Sequence, residues 1–143
     1  MSELFTALLV LFGALIGGLI AFFGEFMYRR RVEKSKQQHS ASILYYDLKS
    51  IQAYTLDDLI DVVDVRYTPE WQRYVANCIF LRNHEVALIY EIYNRVYNYN
   101  HGADFFRDTG MPDKPYMLKK LAEKINHQDF KELLDMLKAK VES

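Results

Sequence analysis

The sequence predicts an all-α protein: an N-terminal transmembrane helix followed by a small helical bundle. Three observations carry that expectation. The twenty residues from Leu4 to Phe23 contain no charge, no Asn, Gln, His or Pro, and a single hydroxyl, that of Thr6. A basic cluster of Arg29, Arg30, Arg31, Lys34 and Lys36 follows at once. From Ile43 onward, apolar residues recur at spacings of three and four between short turn signals, the mark of amphipathic helices.

The first element is residues 1–28. Twenty residues at about 1.5 Å rise each give roughly 30 Å, the hydrocarbon thickness of a bilayer. A core helix of a soluble protein carries a polar stripe at helical period, and this segment is apolar all round. A cleaved export signal begins with a basic stretch, has a shorter apolar run and ends at a small-x-small site. Here the basic cluster follows the apolar run, and the exit through Phe22, Phe23, Gly24, Glu25 and Phe26 offers no such site. The expectation is a retained single-pass anchor in the cytoplasmic (inner) membrane, with the N-terminus outside and the C-terminal domain in the cytoplasm. Phe26 and Tyr28 suit the headgroup boundary. Gly13, Gly17 and Ala21 recur every fourth residue, Gly24 follows, and Ala14 and Gly18 form a second small pair. Such spacing lets a second helix backbone approach, so self-association or pairing with another membrane helix is the functional reading there; the competing one is that glycine is simply common in membrane spans. No ionisable side chain between Leu4 and Phe23 lines an ion or proton path, which argues against a channel.

Residues 29–42, "RRRVEKSKQQHSAS", have Val32 and Ala41 as their only aliphatic residues. They lack the a and d positions of a coiled coil and read as a solvated helical extension or loosely ordered stalk. Arg29, Arg30, Arg31, Lys34 and Lys36 are the residues expected to contact lipid headgroups.

Residues 43–143 form the expected helical domain. Leu44, Leu48 and Ile51, then Leu56, Leu59, Ile60 and Val63, mark one helical face to about Val62. Thr68 is placed to cap a helix from Pro69 to about Leu81. Asn83 is placed to cap a longer one, from His84 to about His101, with Val86, Ile89, Tyr90, Tyr93, Val96 and Tyr97 inward and Gly102 as its stop. Gly110, Pro112 and Pro115 mark a loop. Two final helices, or one bent helix, cover Tyr116 to Ile125 and Asn126 to Val141, with Leu118, Leu121, Ile125, Phe130, Leu133, Leu134 and Leu137 inward.

Chemistry-bearing residues fall in no recognisable motif: there is no H-E-x-x-H, G-x-S-x-G, phosphate-binding glycine loop or C-x-x-C. The lone Cys78 excludes an intrachain disulfide framework and any multi-thiolate zinc site. Asp57, Asp61 and Asp64, with Asp58 beside them, lie at helical spacing and are the candidate carboxylates for a divalent cation; the competing reading is a solvated face. His84 beside Glu85, and His101 near Asp104 and Asp108, are the candidate acid–base pairs. No cofactor is expected. Tyrosines in "IYEIYNRVYNYNHG" resemble a base-stacking platform, but residues 25–143 carry 18 basic and 18 acidic side chains, and that neutrality argues against nucleic acid.

With "ILYYDLKSI", "YTPEWQRYVANCIFL" and "IYNRVYNYN" in view, the chain resembles the small single-span proteins of bacterial and phage genomes. These join an N-terminal anchor to a basic flank and a short helical cytoplasmic domain. The resemblance implies an inner-membrane setting and transfers no catalytic residue. The functional expectation is a membrane-tethered, non-enzymatic interaction or regulatory module, touching lipid through the anchor and a protein partner, or a second copy of itself. Two other classes compete with it: a membrane-bound enzyme using the Asp/His candidates, and a phage-type membrane-lesion or exclusion factor assembled through the glycine face.

Overall fold

The computed structural model describes residues 2–56, 64–107 and 114–143. All regular structure among them is helical: α1 (Ser2–Leu56), α2 (Trp71–Asn77), α3 (Asn83–Arg107), α4 (Lys114–Ile125) and α5 (Gln128–Glu142). The chain divides into two compact units, Met1–Lys36 and Gln37–Ser143.

The first unit is helical throughout and has no core. Its residues from Glu3 to Lys36 are all exposed, because no other element of the unit exists to cover them. The arginine cluster continues the helix, since nothing between Gly24 and Lys36 breaks it.

The second unit buries one core. From α1, Ala41, Leu44, Leu48 and Ile51 are completely buried, at alternating spacings of three and four. Ser40 is buried with them and accepts a hydrogen bond from Asn77 Nδ2 at 3.1 Å. Packing of the domain therefore starts with residues counted in the stalk by the sequence pattern. Leu56, the last residue of α1, ends the described helix; Leu59, Ile60, Val62 and Val63 lie outside the described residues.

Helix α3 is the central element. It packs against α4 and α5 and is tied to α1 through Tyr93 and Tyr99. Being covered from two directions, it buries a wide stripe of Leu88, Ile89, Ile92, Tyr93, Val96 and Tyr99. Its centre lies off the face expected from spacing, so Tyr90 and Tyr97 point outward, at 40% and 52% exposure. Gly102 does not stop α3, which continues to Arg107. The start differs too. Arg82, not Asn83, is the capping position: its carbonyl accepts from Glu85 and Val86 N–H at 3.0 Å, while its own N–H donates to Glu85 Oε2 at 2.7 Å. This is the return half of a capping box, made with a carboxylate near the positive helix end.

Helix α2 is shorter than expected. Pro69 and Glu70 form a turn, Trp71 N–H donates to the Thr68 carbonyl at 3.2 Å, and the helix ends where Cys78 N–H closes a tight turn onto Val75 at 3.0 Å. The capping position of α2 is Glu70, not Thr68, and the Thr68 N–H donates to Asp47 Oδ2 at 2.8 Å. The two final helices are separate, joined at Asn126 and His127, and Leu121, Ile125, Phe130, Leu133, Leu134 and Leu137 are buried as the spacing predicts.

The irregular segment from Asp64 to Thr68 is held by side chains from both long helices. Asn100 Oδ1 accepts from Val65 N–H at 2.9 Å and Asn100 Nδ2 donates to the Val65 carbonyl at 2.8 Å. One amide thus replaces the strand or helix partner that Val65 lacks. Asn100→Ala removes both bonds at once, and we expect it to lower unfolding stability of the full chain in detergent by about 1–3 kcal/mol, read from denaturant titration of helicity.

Candidate functional site

Two surfaces stand out, one in each unit. In the first, every large apolar side chain from Leu4 to Tyr28 is exposed, and none of the most apolar stretch is buried. By length and composition α1 is able to cross a membrane. A Cβ placed on Gly13, Gly17, Gly18 or Gly24 meets no atom within 4 Å, so no contact inside the chain demands glycine at any of them. Gly13, Gly17 and Ala21 lie along one open face of this helix, and the gaps at Ala14 and Gly18 are equally unfilled. In the basic flank, Arg29 Nε donates to Glu25 Oε1 at 3.1 Å, and the Arg30 guanidinium lies 4.6 Å from the centre of the Phe26 ring. Arg31, Lys34 and Lys36 are exposed on the same helix.

In the second unit an aromatic cluster runs along α3. Trp71, nearly buried, stacks on Tyr93 with ring centres 4.4 Å apart and planes 4° from parallel, and meets Tyr90 edge-on at 4.6 Å. Tyr67, carried by the pinned segment, meets Tyr93 edge-on at 5.9 Å. Farther along, Tyr97 stacks on His101 at 4.2 Å, and His101 Nδ1 donates to the Tyr97 carbonyl at 3.0 Å. A rigid Trp–Tyr centre bordered by half-exposed Tyr90 and Tyr97 presents apolar faces and hydroxyls together. That composition is the one enriched at the anchoring positions of protein interfaces.

The inner hydroxyls are structural. Tyr93 donates to Asp47 Oδ2 at 2.7 Å, and the Tyr54 and Tyr99 hydroxyls meet at 3.3 Å. Burial first, and the Asp47 charge second, push the Tyr93 phenol far above its ordinary value; burial and Tyr54 do the same for Tyr99. Both are held neutral in the fold, so the stability they contribute is complete below about pH 10 and is lost as pH rises beyond it. In an alkaline titration of tyrosinate absorbance, Tyr93 and Tyr99 are expected to ionise only as helicity collapses. Titration of all 11 tyrosines before any loss of helicity would contradict the buried network.

A polar cleft of about 220 Å³ lies between the start of α3 and the α4–α5 corner, lined by His84, Glu85, Glu91, Lys124, Asp129 and Glu132. Two of its carboxylates, Glu85 and Glu91, are held below the usual carboxyl range. Burial alone would raise Glu85, but bonds from Arg82 Nε at 2.9 Å and from the Arg82 N–H outweigh it and leave its carboxyl below the usual range. Glu91 is likewise lowered, by Lys124 at 2.8 Å and by Arg95. His84 Nε2 stands 3.6 Å from Glu85 Oε1, at the exposed rim of this ion-pair network. The Glu91–Lys124 pair joins α3 to α4 across this cleft.

The carboxylate series divides. Asp57 and Asp61, with Asp58, lie outside the described residues, and Asp64 is an exposed residue at the start of the pinned segment. Among the described residues no group of three or more His, Cys, Asp and Glu side chains has the geometry to hold a metal ion. Asp104 and Asp108, the candidate partners of His101, have side chains outside the described residues. Cys78 is buried, and burial pushes its thiol up to about 11, so it is a small apolar core group with little thiolate.

The residues that spacing missed are Asp47, Asn100 and Trp71. Their roles depend on partners 19 to 46 positions away, which no local pattern reports. The signal present for Trp71 was its isolation as the only tryptophan, directly after a Pro-containing turn. Compared with protein-family models, with curated proteins and with solved structures, the chain matches none.

Proposed function

We propose that this chain is a membrane-tethered, non-enzymatic interaction module: residues 1–28 anchor it, residues 29–42 form the basic juxtamembrane flank, and residues 43–143 carry the partner-binding surface. The observation that supports it most is the complete exposure of twenty uncharged residues, Leu4 to Phe23. At about 25 cal/mol per Å², leaving that much apolar surface in water is far costlier than placing it among acyl chains. Arginines at one end and only Glu3 at the other set the direction: the N-terminus outside, the helical domain in the cytoplasm. A bacterial inner membrane is the setting this reading adopts. Gly13, Gly17 and Ala21 are the face through which the anchor pairs with a second copy or another span.

The cytoplasmic surface is the Trp71, Tyr90 and Tyr97 face. Holding it at the membrane raises its effective concentration toward partners confined there, so a modest contact suffices. The test is affinity capture from detergent-solubilised membranes with the full chain and with Tyr90→Ala/Tyr97→Ala. Both tyrosines are half-exposed, so the variant is expected to remain folded by its helicity and thermal transition. Loss of a specific co-purifying protein in the variant supports the module, and an identical set of proteins with both chains sinks it.

A further inference from the structure

Helix α3 carries a second face, opposite the stripe it buries. Asn83, Ala87, Tyr90, Asn94, Tyr97 and His101 are all exposed and recur at alternating spacings of four and three. At about 100° per residue they fall within an arc of about 80° and run for about five turns. Between Asn83 and His101 no Asp, Glu, Lys or Arg lies in that arc, and the next residue at the same spacing, Asp104, ends the uncharged seam. The charges that border it are already paired: Arg95 with Glu91 at 2.8 Å, and Glu91 with Lys124 at 2.8 Å. On α2, beside Tyr90, Arg73 pairs with Glu70 at 3.4 Å.

Amide, phenol and imidazole groups each donate and accept hydrogen bonds, so this face complements a copy of itself, and no like charges meet when two copies face each other. Spacing that alternates four and three is that of a two-helix seam, in which a single Asn pairs with its counterpart in one register only. Asn94 holds that place here, and the short side chains of Asn83 and Ala87 leave room for a partner's tyrosine rings. The direction of the pair follows from the fold. Tyr93 bonds Asp47 and Tyr99 meets Tyr54, so α3 runs the same way as the part of α1 in this unit, and Asn83 lies toward the end where the chain enters. Two chains anchored in one membrane enter their domains from the same side, which selects a parallel pair.

We propose, resting on the module reading and on residues 1–28 as its anchor, that the partner of this face is a second copy of the chain, packed α3 against α3 in parallel with Asn94 against Asn94. A seam one helix wide is smaller than the roughly 800 Å² per partner of complexes that form free in solution, and confinement by the anchor supplies the effective concentration that offsets the difference.

The experiment oxidises membranes holding the full chain with Cys78→Ser and one new thiol, and measures the disulfide-linked dimer. Ala87→Cys and Asn94→Cys are each expected to link to themselves about tenfold more than Asp135→Cys, which is exposed on α5. Tyr97→Arg sets two guanidiniums against each other and is expected to lower linking through Ala87→Cys by about tenfold or more. Asn94→Asp is expected to lower it in the same direction, and either variant suffices where the other loses helicity. Linking of Ala87→Cys only to a co-expressed His101→Cys chain assigns an antiparallel pair and overturns the proposal. Linking that survives Tyr97→Arg and Asn94→Asp assigns the pairing to the span, and equal linking through Asp135→Cys marks random collision; each overturns it too. Absence of linking overturns the second copy, while the module reading then stands or falls separately, on whether Tyr90→Ala/Tyr97→Ala loses a different co-purifying protein.

Discussion

A full chain carrying Leu11→Arg and Leu15→Arg is expected to leave the membrane. Both positions lie near the middle of the apolar run and are exposed on α1, so neither change disturbs a packed neighbour. Each arginine at the centre of a span costs about 2.5–3.5 kcal/mol on insertion scales, and two on the same side of the helix have no partner to offset them. The expected result is transfer of the protein from the alkaline-carbonate pellet to the supernatant or to aggregate. Tyr28→Arg is the matched control: its side chain is exposed beyond the apolar run, beside arginines, and the variant should pellet with the parent. A double-arginine chain that pellets as before would show that something other than this helix holds the protein in place.

The second large effect is in the domain. Trp71→Ala is expected to destabilise it by about 3–5 kcal/mol, since a nearly buried indole is removed and its stack with Tyr93 is lost. Tyr93 then loses one wall, and Tyr90 loses the ring it meets edge-on. Tyr97→Ala lies farther along α3, more than half exposed, and should cost no more than about 0.5 kcal/mol. Denaturant titration of the two full-length variants in the same detergent measures the contrast. Equal stability of Trp71→Ala and Tyr97→Ala would mean that the indole is not a core residue. The contrast also separates the two parts of the aromatic face, one buried between the helices and the other exposed.

These expectations rest on features of unequal legibility. The all-helical class was readable because helical spacing is a local property: Leu44, Leu48 and Ile51, and the run from Phe130 to Leu137, announce a buried face without knowing what covers it. The orientation of α3 was not. Tyr90, Tyr93 and Tyr97 are equivalent by spacing, and only packing from two sides decides that Tyr93 goes in while the others remain at the surface. Capping was legible in kind and not in place, because Arg82 has an N–H for Glu85 to bind as well as Asn83 does. Thr68 was a reasonable cap, but α2 begins only at Trp71, so the capping position falls on Glu70. The candidate site follows the same rule. Apolar length and the arginine cluster are contiguous in sequence; the Trp71–Tyr93 pair and the Asn100 clamp exist only after folding.

The central claim is that Leu4 to Phe23 crosses the bilayer with the basic flank and the helical domain on the inner side. Labelling by a membrane-impermeant maleimide tests it most directly, using the full chain with Cys78→Ser and a single new thiol from either Ser2→Cys or Ser143→Cys. In intact cells the Ser2→Cys chain is predicted to react and the Ser143→Cys chain to react only after lysis. Protection of both termini until lysis would place the whole chain on one side and contradict the account.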